Sequence, residues 1–275
     1  MNNLHRELAP ISAAAWAQIE AEAARALKQY LAARRIVDMP PPRGVDAAAV
    51  ATGHVHKIEP PVGGAQAVQR DVRALVEVRV PFALARQALD DVERGALDCD
   101  WSALKDAARR IAAAEDRAVF DGYGAAGIQG IRSAASNPIT TLPAAVTGYP
   151  AAVAQAMNHL RLAGVEGPYA LVLGADAYTA ITGGAEEGYP VAEHVGRIVA
   201  GPIIWAPALA GGLLVSTRGG DFELVVGQDF SIGYGGHSES AVALYLQESF
   251  TFRVLTSEAA AVLAAPRSES APSPR

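Results

Sequence analysis

The 275-residue chain is 51% hydrophobic and 19% charged, too apolar for a disordered polymer and long enough for one large core or two modest ones. Its net charge of −6 provides no basic footprint for nucleic acid. One cysteine, Cys99, excludes an internal disulfide framework and suits a reducing cytosol; with no leader and no apolar run near about 18 residues, a cytoplasmic protein is expected.

In chain order, Pro10 and the N-cap candidate Ser12 open a helix expected to run to about Ala33, with Trp16, Ile19, Ala23, Leu27 and Tyr30 at helical spacing. That stripe serves either the chain's own core or a partner. Pro40, Pro41 and Pro42 stop the helical region. Residues 48–74 read as an extended hairpin with Pro60, Pro61, Gly63 and Gly64 at its tip. A lone hairpin buries too little apolar surface to be stable in water, so a neighbouring subunit is its expected support. A strand over Leu75–Val80 leads to a short helix over about Leu84–Arg94, stopped by Gly95. Asp90, Asp91 and Glu93 there read as a solvated or salt-bridged face. Asp100 then caps a long helix, Trp101–Phe120, striped by Leu104, Ala108, Ile111, Glu115 and Val119 and ended by Gly122.

Residues 139–220 have the texture of a separate α/β lobe. Helices are expected near 151–162, 175–181 and 191–199, and strands near 170–173, 203–205 and 213–216, with a glycine-rich loop at Gly183–Gly188. The stretch Arg218–Val254 carries three period-two alternations that read as consecutive antiparallel strands. The last aligns Val242, Leu244, Leu246, Phe250, Phe252 and Val254 over about 14 residues, far beyond the usual strand of about 5–6. An exposed edge of that length would aggregate, so it belongs inside a sheet or an assembly. Glu248 falls on its apolar face, where a lone charge costs several kcal/mol. Either it is paired, with a subunit contact as one place for the partner, or the strand bulges there. The Pro/Ser-rich tail, residues 265–275, has nothing with which to pack, and no order is expected beyond about Ala264.

Catalytic signatures are weak. Gly122, Gly124 and Gly127 spell GxGxxG, but after a helix rather than a strand, so a close-packed turn is expected. His54 and His56 share a strand face without carboxylate or thiolate companions. There is no HExxH, GxSxG or phosphate loop. No catalytic residue, metal or cofactor is assigned.

The segment RGGDFELVVGQDFSIGY and the strand LYLQESFTF that follows it closely resemble the C-terminal part of encapsulin shell proteins, the linocin-like bacterial nanocompartment family. Met1–Pro10, Arg34–Asp38, Asp91–Gly95, Glu115–Asp116 and Gly164–Tyr169 resemble the same family, in the same order, over about residues 1–264. The resemblance implies an α+β, Hong Kong 97-type phage capsid fold. Its peripheral domain would comprise 1–47, 75–138 and 221–264, its extended loop 48–74 and its axial domain 139–220. It implies a non-enzymatic homo-oligomer, an icosahedral shell of about 60 copies, without nucleic acid or membrane. Cargo would be an enzyme held by its C-terminal targeting peptide, a dye-decolourising peroxidase or a ferritin-like iron protein, which connects the shell to oxidative stress and iron homeostasis.

Residue by residue, the resemblance assigns cargo-peptide binding to Arg34, Asp38, Phe230 and Ile232, and a five-fold pore mouth to Glu186, Glu187, Gly188 and Tyr189. An ordinary surface loop is the alternative for the latter. Some relatives stack a flavin on a tryptophan where this chain has Gln87, so flavin is not carried over. Two rival readings are a phage or prophage major capsid protein and a stand-alone α/β hydrolase or protease in the 139–220 lobe.

Overall fold

The computed structural model describes residues 3–266. The expectation for the tail concerns mainly residues outside that range. Helix α1 (Ala13–Tyr30) starts where expected: Ser12 is extended and its Oγ accepts a hydrogen bond from the Ala15 N–H at 3.2 Å. It ends three residues before Ala33. The backbone N–H groups of Ala32 and Ala33 donate instead to the Asp116 carboxylate, at 3.1 and 2.9 Å, and the chain tightens into a 3-10 turn over Ala33–Arg35. Strands β1 (Ala49–Ile58) and β2 (Ala67–Ala74) form the expected hairpin, and Val55, Val68 and Val72 on it are exposed.

Strand β3 (Val76–Ala85) runs into α2 (Arg86–Glu93), and α3 (Ser102–Phe120) follows, with Asp100 Oδ1 accepting from the Ser102 N–H at 2.8 Å. Short strands β4 (Gly122–Tyr123) and β5 (Ile128–Gln129) pair across the glycine motif, which is indeed a turn. A Cβ on Gly130 would lie 2.2 Å from the Gly122 nitrogen, and Gly122 itself has φ +99°, so backbone contact rather than phosphate binding explains these glycines. After α4 (Ile131–Ala134) and β6 (Thr140–Thr141) come α5 (Tyr149–Leu162), β7 (Tyr169–Leu173) and α6 (Ala175–Gly183). A two-residue ladder of β8 (Ala185–Glu186) and β9 (Tyr189–Pro190) precedes α7 (Val191–Val199), β10 (Ile203–Trp205) and β11 (Gly212–Ser216). The chain ends its described part with β12 (Phe222–Val226), β13 (Ser231–His237), β14 (Ala241–Val254) and β15 (Ala260–Ala264).

Two findings differ from the sequence expectation. The first is that β12 and β13 do not pair with each other: both lie along one edge of β14, which reaches 14 residues, while β3 covers its other edge. A strand that long has room for two short partners end to end. The second is that β15 pairs with β11 and β6 in the five-stranded sheet β10-β7-β11-β15-β6. Residues 260–264 therefore pack with the 139–220 lobe, not with the rest of 221–264. Its alanine-rich run, AAVLA, hides the strand from pattern reading while leaving it small enough to be buried in that sheet.

Buried apolar residues form two clusters. One holds α1, the first half of α3, β13 and Val242, Leu244 and Leu246 of β14. The other holds the five-stranded sheet with α5–α7, Ala118–Phe120 of α3, and Phe250 and Phe252 of β14. The longest helix, α3, and the longest strand, β14, thus span both cores. Their buried acids, Glu115 and Asp116 on α3 and Glu248 on β14, lie between the two apolar halves of each element. Among the described residues no helix is long and apolar enough to cross a membrane.

Candidate cargo groove and its charged support

A cleft of about 350 Å³ lies between α1 and the β13–β14 sheet, lined by Ala23, Leu27, Phe230, Ile232 and Leu246, with Arg6 and Glu20 on its rim. Leu4 also lines it: the N-terminal segment is held there by the Tyr234 N–H donating to the Leu4 carbonyl at 2.8 Å, and Arg6 pairs with Glu20 while covering the Trp16 ring. Phe230 and Ile232 therefore meet, as the sequence expects. The helix stripe explains why. Ala23 is small and Leu27 large, so α1 leaves a trough facing the alternate residues of β13.

Arg34 and Asp38 sit elsewhere. Arg34 lies behind the cleft wall, its guanidinium 4.3 Å from the Phe230 ring centroid. Its Nε donates to both Glu115 oxygens at 2.9 and 2.8 Å, Nη1 to Asp229 at 2.9 Å, and Nη2 to Glu115 at 2.6 Å and Glu248 at 3.3 Å. Burial opposes the Arg34 charge, but these carboxylates outweigh it and hold its pKa above the usual arginine value. Asp38 forms a one-residue bridge to β12, and its Oδ2 accepts from the Gly220 N–H at 2.6 Å, fixing the turn before that strand. Neither side chain lines the cleft.

Glu248 is paired within its own chain, which answers the question the sequence left open. Glu115 and Glu248 are both fully buried. Burial, then the neighbouring Glu115, push the Glu248 carboxyl well above the ordinary glutamate range, against the pull of Arg34. Burial also raises Asp116 to about 7 despite the backbone donors of Ala32 and Ala33. Nothing in local pattern signals that Glu115 and Asp229 converge on Arg34, because the three residues lie on separate segments of the chain. Only the charged interruption of two apolar stripes pointed there.

At the far lobe, Glu187 (φ 49°) and Gly188 (φ 83°) make the left-handed turn between β8 and β9, leaving Glu186, Glu187, Gly188 and Tyr189 exposed. His194 lies 3.9 Å from Glu186, and Arg197 covers the Tyr189 ring at 5.4 Å. Sequence reading missed both of these α7 residues. On α2, the Gln87 amide donates to Asp91 Oδ1 at 2.9 Å.

A free two-stranded arm, a long central helix and a second sheet-bearing lobe define the Hong Kong 97-type capsid fold, the fold of shell-forming proteins. Solved structures agree. A virus-like particle protein from Pyrococcus furiosus matches with TM-score 0.61 and 18% identity, covering 89% of this chain and 97% of that one. Gordonia phage Cozz matches with TM-score 0.55 and 12% identity over 86% of each chain.

The Linocin_M18 family, described as "Encapsulating protein for peroxidase", matches residues 1–251, and the chain belongs to this family of encapsulin shell proteins. The type 1 encapsulin shell protein of Rhodococcus erythropolis is 56% identical over 264 residues, covering 96% of this chain and 100% of that protein. The shell proteins of Mycobacterium tuberculosis and Brevibacterium linens are 51% and 52% identical, each covering 96% of this chain and 99% of the relative. The chain is thus a structural subunit of a nanocompartment wall rather than an enzyme, and the family match decides against the hydrolase and phage readings.

Proposed function

We propose that the cleft between α1 and β13 holds the C-terminal targeting peptide of a cargo enzyme, so that the assembled shell encloses that enzyme in the cytoplasm. The observation that carries this reading is the apolar trough formed by Ala23, Leu27, Phe230, Ile232 and Leu246, edged by polar side chains. Each aliphatic anchor seated there contributes about 1.5–3 kcal/mol. Ordering an extended peptide costs about 1 kcal/mol or more per residue. Binding at one site is therefore weak, and an oligomeric cargo with several tails gains through avidity. Phe230 and Ile232 form the wall, Arg34 supports it from behind, and Asp38 holds the adjoining chain.

The exposed valines of the β1–β2 arm support its lying on a neighbouring copy, and the fold suits a closed icosahedral shell of about 60 copies. The family description supports a peroxidase cargo over a ferritin-like protein. A haem Soret band in the loaded particle fits that choice; an iron-dense core reverses it. Glu186 and Glu187, exposed beside Tyr189, support an acidic pore mouth that favours cations.

The test is Ile232→Asp, purified with co-expressed cargo. Intact but empty shells are expected, because a charge on the cleft wall cannot be buried beneath a peptide. Full loading in that variant removes the cleft from consideration.

A further inference from the structure

We propose that Glu115 and Glu248 share one proton, and that this proton, acting through Arg34, sets how firmly Phe230 closes the cleft. The inference rests on the cargo-groove reading for its consequence, but not for its chemistry. Arg34 faces four carboxylates from three directions: Glu115 and Asp116 from α3, Asp229 from the turn before β13, and Glu248 from β14. On β3, which covers the other edge of β14, the residue paired with Glu248 is Val78, which adds no charge.

Three observations require the proton. Glu115 and Glu248 are both completely buried, yet one guanidinium serves the pair. Arg34 Nη2 lies 2.6 Å from Glu115 Oε2 and 3.3 Å from Glu248 Oε2, so the two buried carboxyls crowd one N–H group, where two negative charges repel unless a proton lies between them. Finally, Glu248 Oε1 has no donor among the described residues. A proton on Glu248, donated to Glu115, removes that repulsion and reduces the buried charge to one carboxylate opposite one arginine.

The consequence follows from where Arg34 is anchored. With the proton in place, Glu115 holds Nε and Nη2 while Nη1 remains on Asp229, the half-exposed member, and the guanidinium face stays against Phe230. When the proton leaves to solvent, the second buried negative charge draws Arg34 inward toward Glu248 and off Asp229. Phe230 loses its backing, and its own N–H loses the ordered Asp229 Oδ1 it donates to at 2.8 Å. Arg34 is in this sense a positioning residue for the groove, and the groove grips more firmly at the lower pH.

Hydrogen–deuterium exchange on intact, cargo-free shells tests this, after correction for the intrinsic pH dependence of exchange. In the wild type, protection of 229–234 should fall as pH is raised above neutral, by up to about tenfold per pH unit where one proton is linked. Glu248→Gln, which keeps a neutral donor to Glu115, should hold protection high at every pH; Glu115→Gln is the second variant should the first not fold. Infrared spectra of Asp116→Asn shells, free of the other raised carboxyl, should retain a buried carboxylic-acid carbonyl band at neutral pH that adding Glu248→Gln removes. Equal pH profiles in wild type and both variants, or no acid band, overturns the proposal. Cargo loading by Ile232→Asp would discard the groove reading while leaving this exchange pattern intact, so the two failures are distinguishable.

Discussion

Replacing Arg34 with methionine keeps much of the side-chain volume and removes the cation that Glu115, Asp229 and Glu248 share. Glu115, fully buried, loses its three contacts with the guanidinium, and Glu248 loses the Nη2 donor at 3.3 Å. Breaking a buried ion pair by deleting one partner typically costs about 3–5 kcal/mol, because the survivor is left charged and desolvated. For a chain of this size each kcal/mol lowers the melting midpoint by about 2–4 °C, so a drop of roughly 6–20 °C is expected near neutral pH. Tryptophan fluorescence during a thermal ramp of assembled shells reads it. Arg34→Met with Glu115→Gln and Glu248→Gln should recover most of the loss, because neither amide needs a cation. An Arg34→Met shell melting within about 2 °C of wild type at neutral pH would refute the reasoning, since the predicted loss begins several-fold above that.

Asp116→Asn tests the carboxyl that stops α1. Because the folded-state value is raised to about 7 from an ordinary 3.8, the folded chain binds more protons than the unfolded one between those limits, and Asp116 makes stability fall as pH rises through them. The asparagine variant should show a flatter decline in melting midpoint over that window, and an unchanged slope counts against the assignment. At the other lobe, Glu186→Gln with Glu187→Gln should slow entry of small cations relative to neutral solutes, measured by the quenching of a dye enclosed in the shell. Identical entry rates would return that hairpin to the status of a surface loop.

Much of this protein was written in local pattern. The 3.6-residue stripe of α1, the length of α3, the helix Val191–Val199 and the alternation of β14 each follow from short-range periodicity, which depends only on which residues lie side by side. The family likeness was legible for the same reason, since long colinear stretches survive in sequence. Glu248 was visible as an anomaly on an apolar face. Its resolution was not, because a charge's cost depends on what surrounds it in three dimensions. Asp116 cutting α1 short, β15 crossing to the second sheet, and Arg34 turning away from the cleft toward Glu115 are contacts between residues far apart in the chain. Local sequence fixes which elements form and which faces are apolar; the partner of each buried polar group depends on packing, and only the tertiary structure decides it.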